Sequence, residues 1–272
     1  MAHPQIAAFA RLAKGGDAPT RTIAGQATKL SRTMHDIRYD EVHDEVFVGN
    51  PFAQSVLAFR GGADGNEAPI RVIQGPKTQL QTPDNLEVDT VHNEIFVPDE
   101  DVILVFPRDG NGDVAPIRVL RGAENNWGTS AVAVDPIRNL IVASGRYGKN
   151  RMTSLMIFNR TDEGEVKPRA VIGGPQTGLV GIRQIQVYPK GGWIIATQVT
   201  AGDIIEPEGT FIGVWSVNDN GDVPPRWKIL GGTAKSVMKK PRGVVLDPKH
   251  KELIVSDMRL NAVLTYYFPE IF

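Results

Sequence analysis

The sequence predicts an all-β protein, and three observations carry that prediction. One segment pattern recurs five times along the chain. Runs of β-branched and aromatic residues alternate with Gly/Asn/Asp turns, as strands and hairpins do. No stretch longer than a few residues keeps the 3.6-residue apolar period of a helix. Glycine and proline number 28 and 19 in 272 residues, above the ordinary share of about 12 % for the two together, as a chain with many turns requires.

The recurring segment reads QIAAFARLAKGGDAPTRTIAG (5–25), SVLAFRGGADGNEAPIRVIQG (55–75), VILVFPRDGNGDVAPIRVLRG (102–122), SLMIFNRTDEGEVKPRAVIGG (154–174) and FIGVWSVNDNGDVPPRWKILGG (211–232). A sixth copy, AVLTYYFPEIF (262–272), supplies the first half only. Anchored on Phe9, Phe59, Phe106, Phe158, Trp215 and Tyr266, the spacings are 50, 47, 52, 57 and 51 residues. This period fits one four-stranded antiparallel blade of a β-propeller, whereas helical repeats run to about 33–47 residues.

Within each period the strands follow in order, with a to d running from axis to rim. The apolar run holding the aromatic is strand c. A polar hairpin follows, closing on Pro19, Pro69, Pro116, Pro168 or Pro225; proline suits the start of an outermost strand, which has one edge without a partner. Strand d (RTIAG, RVIQG, RVLRG) ends on glycine and leads into a Gly-x-x-Thr-x-Leu loop at Gly25, Gly75 and Gly174. Strands a and b then form hairpins such as DIRYD with EVFVGN and NLEVD with EIFVPD. The chain therefore reads c-d, four complete a-b-c-d units, then a-b-c. Residues 1–272 are expected to form one propeller domain of five blades, with six as the alternative. Closure is expected by pairing of the N- and C-terminal strands, Arg21 to Gly25 serving as the d strand of the last blade. A strand-shared oligomer is the alternative to a monomer.

The hydrophobic-Asp, IFV-x-D and V-APIR-I-G elements resemble the NHL-type β-propeller repeats of bacteria over nearly the whole chain. That resemblance implies four-stranded blades around a central channel, and no particular activity.

Composition narrows the function. Lys and Arg total 30 against 31 Asp and Glu, a net charge of −1, too weak a field to favour nucleic acid or an anionic membrane. The absence of cysteine excludes a disulfide framework and a thiol nucleophile, and leaves the compartment open. Met1 to Leu12 lacks the charged start, apolar core and cleavage site of a signal peptide, and no apolar run approaches the about 18 residues of a membrane span.

Propeller ligands are expected at the channel mouth framed by the d–a and b–c loops. Alternate side chains of strand a should face the channel, among them Asp36, Arg38, Asn85, Glu87, Gln184 and Gln186. The ends of strand b add Asn50, Asp99, Ser144, Thr197 and Asp257. As a binding site for a small molecule, peptide or glycan, the candidates are Arg38, Asn50, Asn85, Trp127, Arg146, Tyr147, Arg183, Gln184 and Arg242. Two long loops widen the mouth: a basic one, 144–154, and an acidic one, 198–210, with Asp203, Glu206 and Glu208. The alternative is a hydrolase of the gluconolactonase or paraoxonase kind, which resembles this chain in placing oxygen ligands at the mouth. There Asp36, Asn85, Asp99 and Asp257 would hold Ca²⁺, with His35, Asp36 and Glu87 as acid–base groups. Glycoside hydrolysis by paired carboxylates is a more distant reading. The runs Asp109-Gly-Asn111-Gly-Asp113 and Asn218-Asp-Asn220-Gly-Asp222 resemble half of a calcium loop but lack its distal Glu, and they are expected to be hairpin turns. His43, His92 and His250 occupy equivalent a–b turns and are expected to be turn residues.

Overall fold

The computed structural model describes residues 4–122, 127–200 and 209–272. It is an all-β, five-bladed β-propeller with antiparallel blades. Two compact units divide the chain, 1–99 with 104–118 and 100–103 with 119–272, so the second blade draws on both.

The first unit begins with a hairpin, β1 (Gln5–Ala8) against β2 (Arg21–Ala24). Blade one follows as β3 (Ile37–Asp40), β4 (Glu45–Asn50), β5 (Ser55–Arg60) and β6 (Arg71–Gln74), paired in that order. Blade two is β7 (Glu87–Asp89), β8 (Glu94–Asp99), β9 (Val102–Pro107) and β10 (Arg118–Gly122). In the second unit, blade three comprises β11 (Trp127–Asp135), β12 (Leu140–Tyr147), β13 (Met152–Asn159) and β15 (Ala170–Gly173), while the short β14 (Gly164–Val166) runs parallel to β10. Blade four is β16 (Ile182–Tyr188), β17 (Trp193–Gln198), β18 (Phe211–Ser216) and β19 (Trp227–Leu230). Blade five has three strands, β20 (Pro241–Asp247), β21 (Glu252–Asp257) and β22 (Ala262–Tyr267). Among the described residues no helix is long and apolar enough to cross a membrane.

Within their own units the two ends of the chain are laddered locally. β2 ladders with β1, and β22 with β21.

The anchoring aromatics make the core. Phe59, Phe106, Phe158 and Trp215 are fully buried, each on its c strand. The Gly-x-x-Thr-x-Leu loops are equally regular. Thr28, Thr78 and Thr177 are fully buried; each hydroxyl donates to the carbonyl three residues back, at 2.6 Å, and accepts the amide of the Leu two residues on. Thr78→Val keeps the shape and removes both bonds, so a loss of about 1–2 kcal/mol is expected in the denaturant midpoint.

Consecutive blades are tied by one repeated device. In strand d, Ile23, Ile73 and Ile172 form parallel bridges to Gly65, Gly112 and Gly221 of the next c–d hairpin. Beside each bridge, Asn66, Asp113 and Asp222 accept the amides of Ala27, Lys77 and Gln176 at 2.7–2.8 Å. Asn111 and Asn220 take those of Val72 and Val171. Those of Asn111, Asp113, Asn220 and Asp222 are oxygens of the runs at 109–113 and 218–222, and the structure uses them as blade ties. The glycine ending strand d is obligatory here: Gly75 has φ 134°, and a Cβ on it would lie 2.5 Å from Asp113.

The first residues of strands b and d form a matched pair in each complete blade. Arg71 meets Glu45 in blade one, and Arg118 meets Glu94 at 2.8 Å in blade two. Leu140 and Ala170 share one apolar cluster in blade three. Trp193 and Trp227 pack edge to face at 5.1 Å in blade four.

Candidate functional site

The side chains that end strand b are loop clamps. Asn50 is fully buried; its carbonyl accepts the Ser31 amide at 2.9 Å and its amide donates to the Lys29 carbonyl. Asp99 accepts the amides of Gln81 and Thr82 at 2.6 and 2.9 Å, plus the Thr82 hydroxyl. Asp257 accepts four amides, from Lys239 and Lys240 on one oxygen and from Arg259 and Leu260 on the other, at 2.6–3.0 Å. Gln198 does the same for Val180 and Gly181. The sequence reading placed this position one residue early in blades three and four, at Ser144 and Thr197. The sixth place of EVFVGN, EIFVPD, WIIATQ and ELIVSD gives Gln198 directly.

A charged cluster is built on the inner strands of the first unit. Asp36 is buried; one oxygen accepts the Ile37 amide at 2.9 Å and Arg38 Nη1 at 2.6 Å, and the other accepts the Leu86 amide at 3.2 Å. Arg38 Nε stands 3.3 Å from Glu87 Oε1, with the two side chains 10 % and 14 % exposed. Nη2 of Arg38 makes no hydrogen bond. Burial pushes the Glu87 carboxyl above its ordinary value, and Arg38 offsets only part of this. Burial also pulls the Arg38 guanidinium down, but Asp36 and Glu87 together outweigh it, so the group stays charged. His35 sits at the edge of the cluster, half exposed, with Nδ1 3.0 Å from Asp84. The structure thus brings Asp36, Arg38 and Glu87 together, with Asn85 adjacent in sequence and half-buried.

Elsewhere the candidates serve other tasks. Gln184 repeats the part of Asp36: its side-chain oxygen accepts the Val244 amide at 2.5 Å. Trp127 is 2 % exposed and packs edge-on against Phe158 at 4.9 Å, so its faces are not a stacking platform. Arg146 and Tyr147 belong to β12, paired with Thr153 and Met152; the long loop expected there is a strand extension closed by residues 148–151. Arg183 is exposed on β16, and Arg242 lies beside the Met258 sulfur on β20. Asp203, Glu206 and Glu208 of the acidic loop lie outside the described residues.

Among the described residues, the metal-capable group is Asp247, His250 and Glu252, whose ligand atoms lie within 4.8 Å of one another. The Asp–His half of this group recurs in blades one and two. His43, His92 and His250 each hold Nδ1 2.7 Å from Asp40, Asp89 and Asp247. The same aspartates accept the turn amides, so the motif is a hairpin lock, and Arg138 with Asp135 replaces it in blade three.

No protein-family model matches the chain, and no curated protein matches it by sequence. Solved structures do resemble it. Hydrazine synthase of Kuenenia stuttgartiensis is similar at a TM-score of 0.57 and 12 % identity, over 91 % of this chain and 66 % of that one. The Cps50 (Swd1) β-propeller domain of Myceliophteria thermophila gives 0.52 and 11 %, over 85 % and 64 %. The chain spans just under two thirds of both. A nidogen/laminin complex gives 0.53 and 12 %, over 86 % and 80 %. At these identities the likeness is one of fold, and the fold is the β-propeller.

Proposed function

We propose that residues 1–272 act as a single binding propeller built from NHL-type repeats, taking a peptide, small molecule or glycan at the end framed by the d–a and b–c loops. One observation carries this reading. The oxygens that a catalytic metal would need, on Asp36, Asp99 and Asp257, already accept backbone amides. They hold loops in place instead of facing a ligand. What those loops present is apolar: Phe52 in the b–c loop of blade one is 74 % exposed, Val180 and Val237 are exposed in the d–a loops that enter blades four and five, and Met258 in the b–c loop of blade five. Apolar groups on clamped loops suit a peptide, because little ordering cost falls on the receptor. That one similar structure is a nidogen/laminin complex is consistent with a protein or peptide partner.

The test is a synthetic peptide array probed with the intact chain. Saturable hits should weaken about tenfold or more with Phe52→Ser, a central anchor, and stay unchanged with Val91→Ser on an a–b turn. Hits insensitive to Phe52 would overturn the reading. So would a rise of several degrees in Tm when millimolar Ca²⁺ is added to EDTA-treated protein, which would favour the metal-assisted hydrolase.

A further inference from the structure

The chain contains two Asn-Gly pairs, Asn111-Gly112 and Asn220-Gly221, and both stand in the bridged joints between strand d and the next hairpin. Asparagine is thermolabile. It is most so before glycine, where no Cβ hinders the approach of the next backbone nitrogen to the side-chain amide carbon. Here both reacting groups are engaged. Asn111 Oδ1 accepts the Val72 amide at 3.0 Å, and the Gly112 amide donates to the Val72 carbonyl at 2.6 Å. Asn220 Oδ1 accepts the Val171 amide at 2.9 Å, and the Gly221 amide donates to the Val171 carbonyl at 2.7 Å. One residue of strand d thus holds the electrophile and the nucleophile together.

Among the described residues three joints carry the parallel bridge, and each holds one carboxylate and one amide. Asp64 takes the Thr22 amide and Asn66 that of Ala27 in the first. Asn111 is matched with Asp113 in the second, and Asn220 with Asp222 in the third. Each joint lies inside one compact unit, the first two in the first unit and the last in the second.

We propose that Asn111 and Asn220 are deamidation sites that their joints hold shut, each converting only when its own joint opens. In the open joint the glycine nitrogen attacks the asparagine Cγ. The new N–Cγ bond replaces the bond from Cγ to the side-chain nitrogen, which leaves as ammonia with the proton of the glycine N–H, and a cyclic imide remains. Water then cleaves one of the two C–N bonds of that imide. Cleavage at Cγ leaves a normal backbone bearing a carboxylate; cleavage at the main-chain carbonyl routes the backbone through Cβ and Cγ, longer by one methylene. Neither product rebuilds the joint. The first sets two carboxylates side by side where each joint holds one, and like charges repel; the second carries the acceptor away from the strand d amide. The conversion runs one way, so each joint keeps a record of having opened. This modification does not depend on the loop-end reading above.

The experiment incubates the full chain at mildly alkaline pH and follows conversion at each asparagine by peptide mapping, beside synthetic peptides of residues 105–118 and 214–227. Both sites should convert about tenfold or more slowly in the folded chain than in the peptides, since two hydrogen bonds must open first. Asp113→Ala removes the bond to the Lys77 amide in the joint of Asn111. It should speed conversion of Asn111 about fivefold and leave Asn220 unchanged. Asp222→Ala, which removes the bond to the Gln176 amide, should do the converse. Equal rates in folded chain and peptides overturn the proposal, and that comparison requires no variant to fold. Equal acceleration of both sites by either variant also overturns it, because the protection would then belong to the whole chain and not to the joint.

Discussion

Asp257→Ala is expected to lower stability by roughly 3–5 kcal/mol, equally in EDTA and in Ca²⁺. The carboxylate accepts four backbone amides. A buried donor left without an acceptor costs about 1–3 kcal/mol; those nearer the surface rehydrate, so the total falls below the sum. The b–c turn at Arg259 and the d–a loop at Lys239 should loosen together, since one side chain holds both. Asp257→Asn would keep one acceptor oxygen and turn an amino group toward the other pair of donors, so it should recover less than half of the loss. Denaturant midpoints at constant m-value measure this. A loss seen only when Ca²⁺ is present would show that the residue binds metal after all.

Arg38→Met should cost a similar amount, about 3–5 kcal/mol, because it leaves two buried carboxylates without their shared cation. Its signature is in the pH profile. Burial raises the Glu87 carboxyl above its unfolded value, so the native state holds that proton more tightly than the unfolded chain does. The stability from this group is complete below the unfolded value of about 4.3, and it is lost as pH rises through the raised native value. Wild-type Tm should therefore carry a falling component across that window. Glu87→Gln should lack it, and Arg38→Met should extend it to higher pH, since Arg38 is what restrains the rise. A Glu87→Gln profile parallel to wild type across that window would refute the assignment.

The fold was legible because its signals are local and repeated. Phe59, Phe106, Phe158 and Trp215 recur at one period and are all fully buried, and each Thr of the Gly-x-x-Thr-x-Leu loops makes the same two bonds. The candidate site was half legible. Asp36, Arg38 and Glu87 are neighbours on adjacent inner strands, and alternation alone brings them together. What alternation cannot show is where a carboxylate directs its oxygens. Asp99 and Asp257 read as ligands in sequence because nothing there reveals the amides of Gln81 or Lys239 turning back toward them. Tyr147 read as a loop residue because strand and loop extensions of a hairpin share a composition, and only the ladder with Met152 separates them.

The matched residues that open strands b and d bear on how such a chain avoids tangling. Near-identical repeats invite a strand of one copy to settle against the body of another during folding, a hazard that grows with internal similarity. Here each repeat carries its own lock and key: Glu45 with Arg71, Glu94 with Arg118, Leu140 with Ala170, Trp193 with Trp227. A d strand opening on arginine would bury its charge against Leu140, and one opening on Trp227 would leave Glu94 without its cation. Three of the four interfaces thereby reject one another's strands. The first two blades share a password, and β2 and β21 open on the same residue types, Arg21 and Glu252, so swapped strands should be sought among these in refolding mixtures.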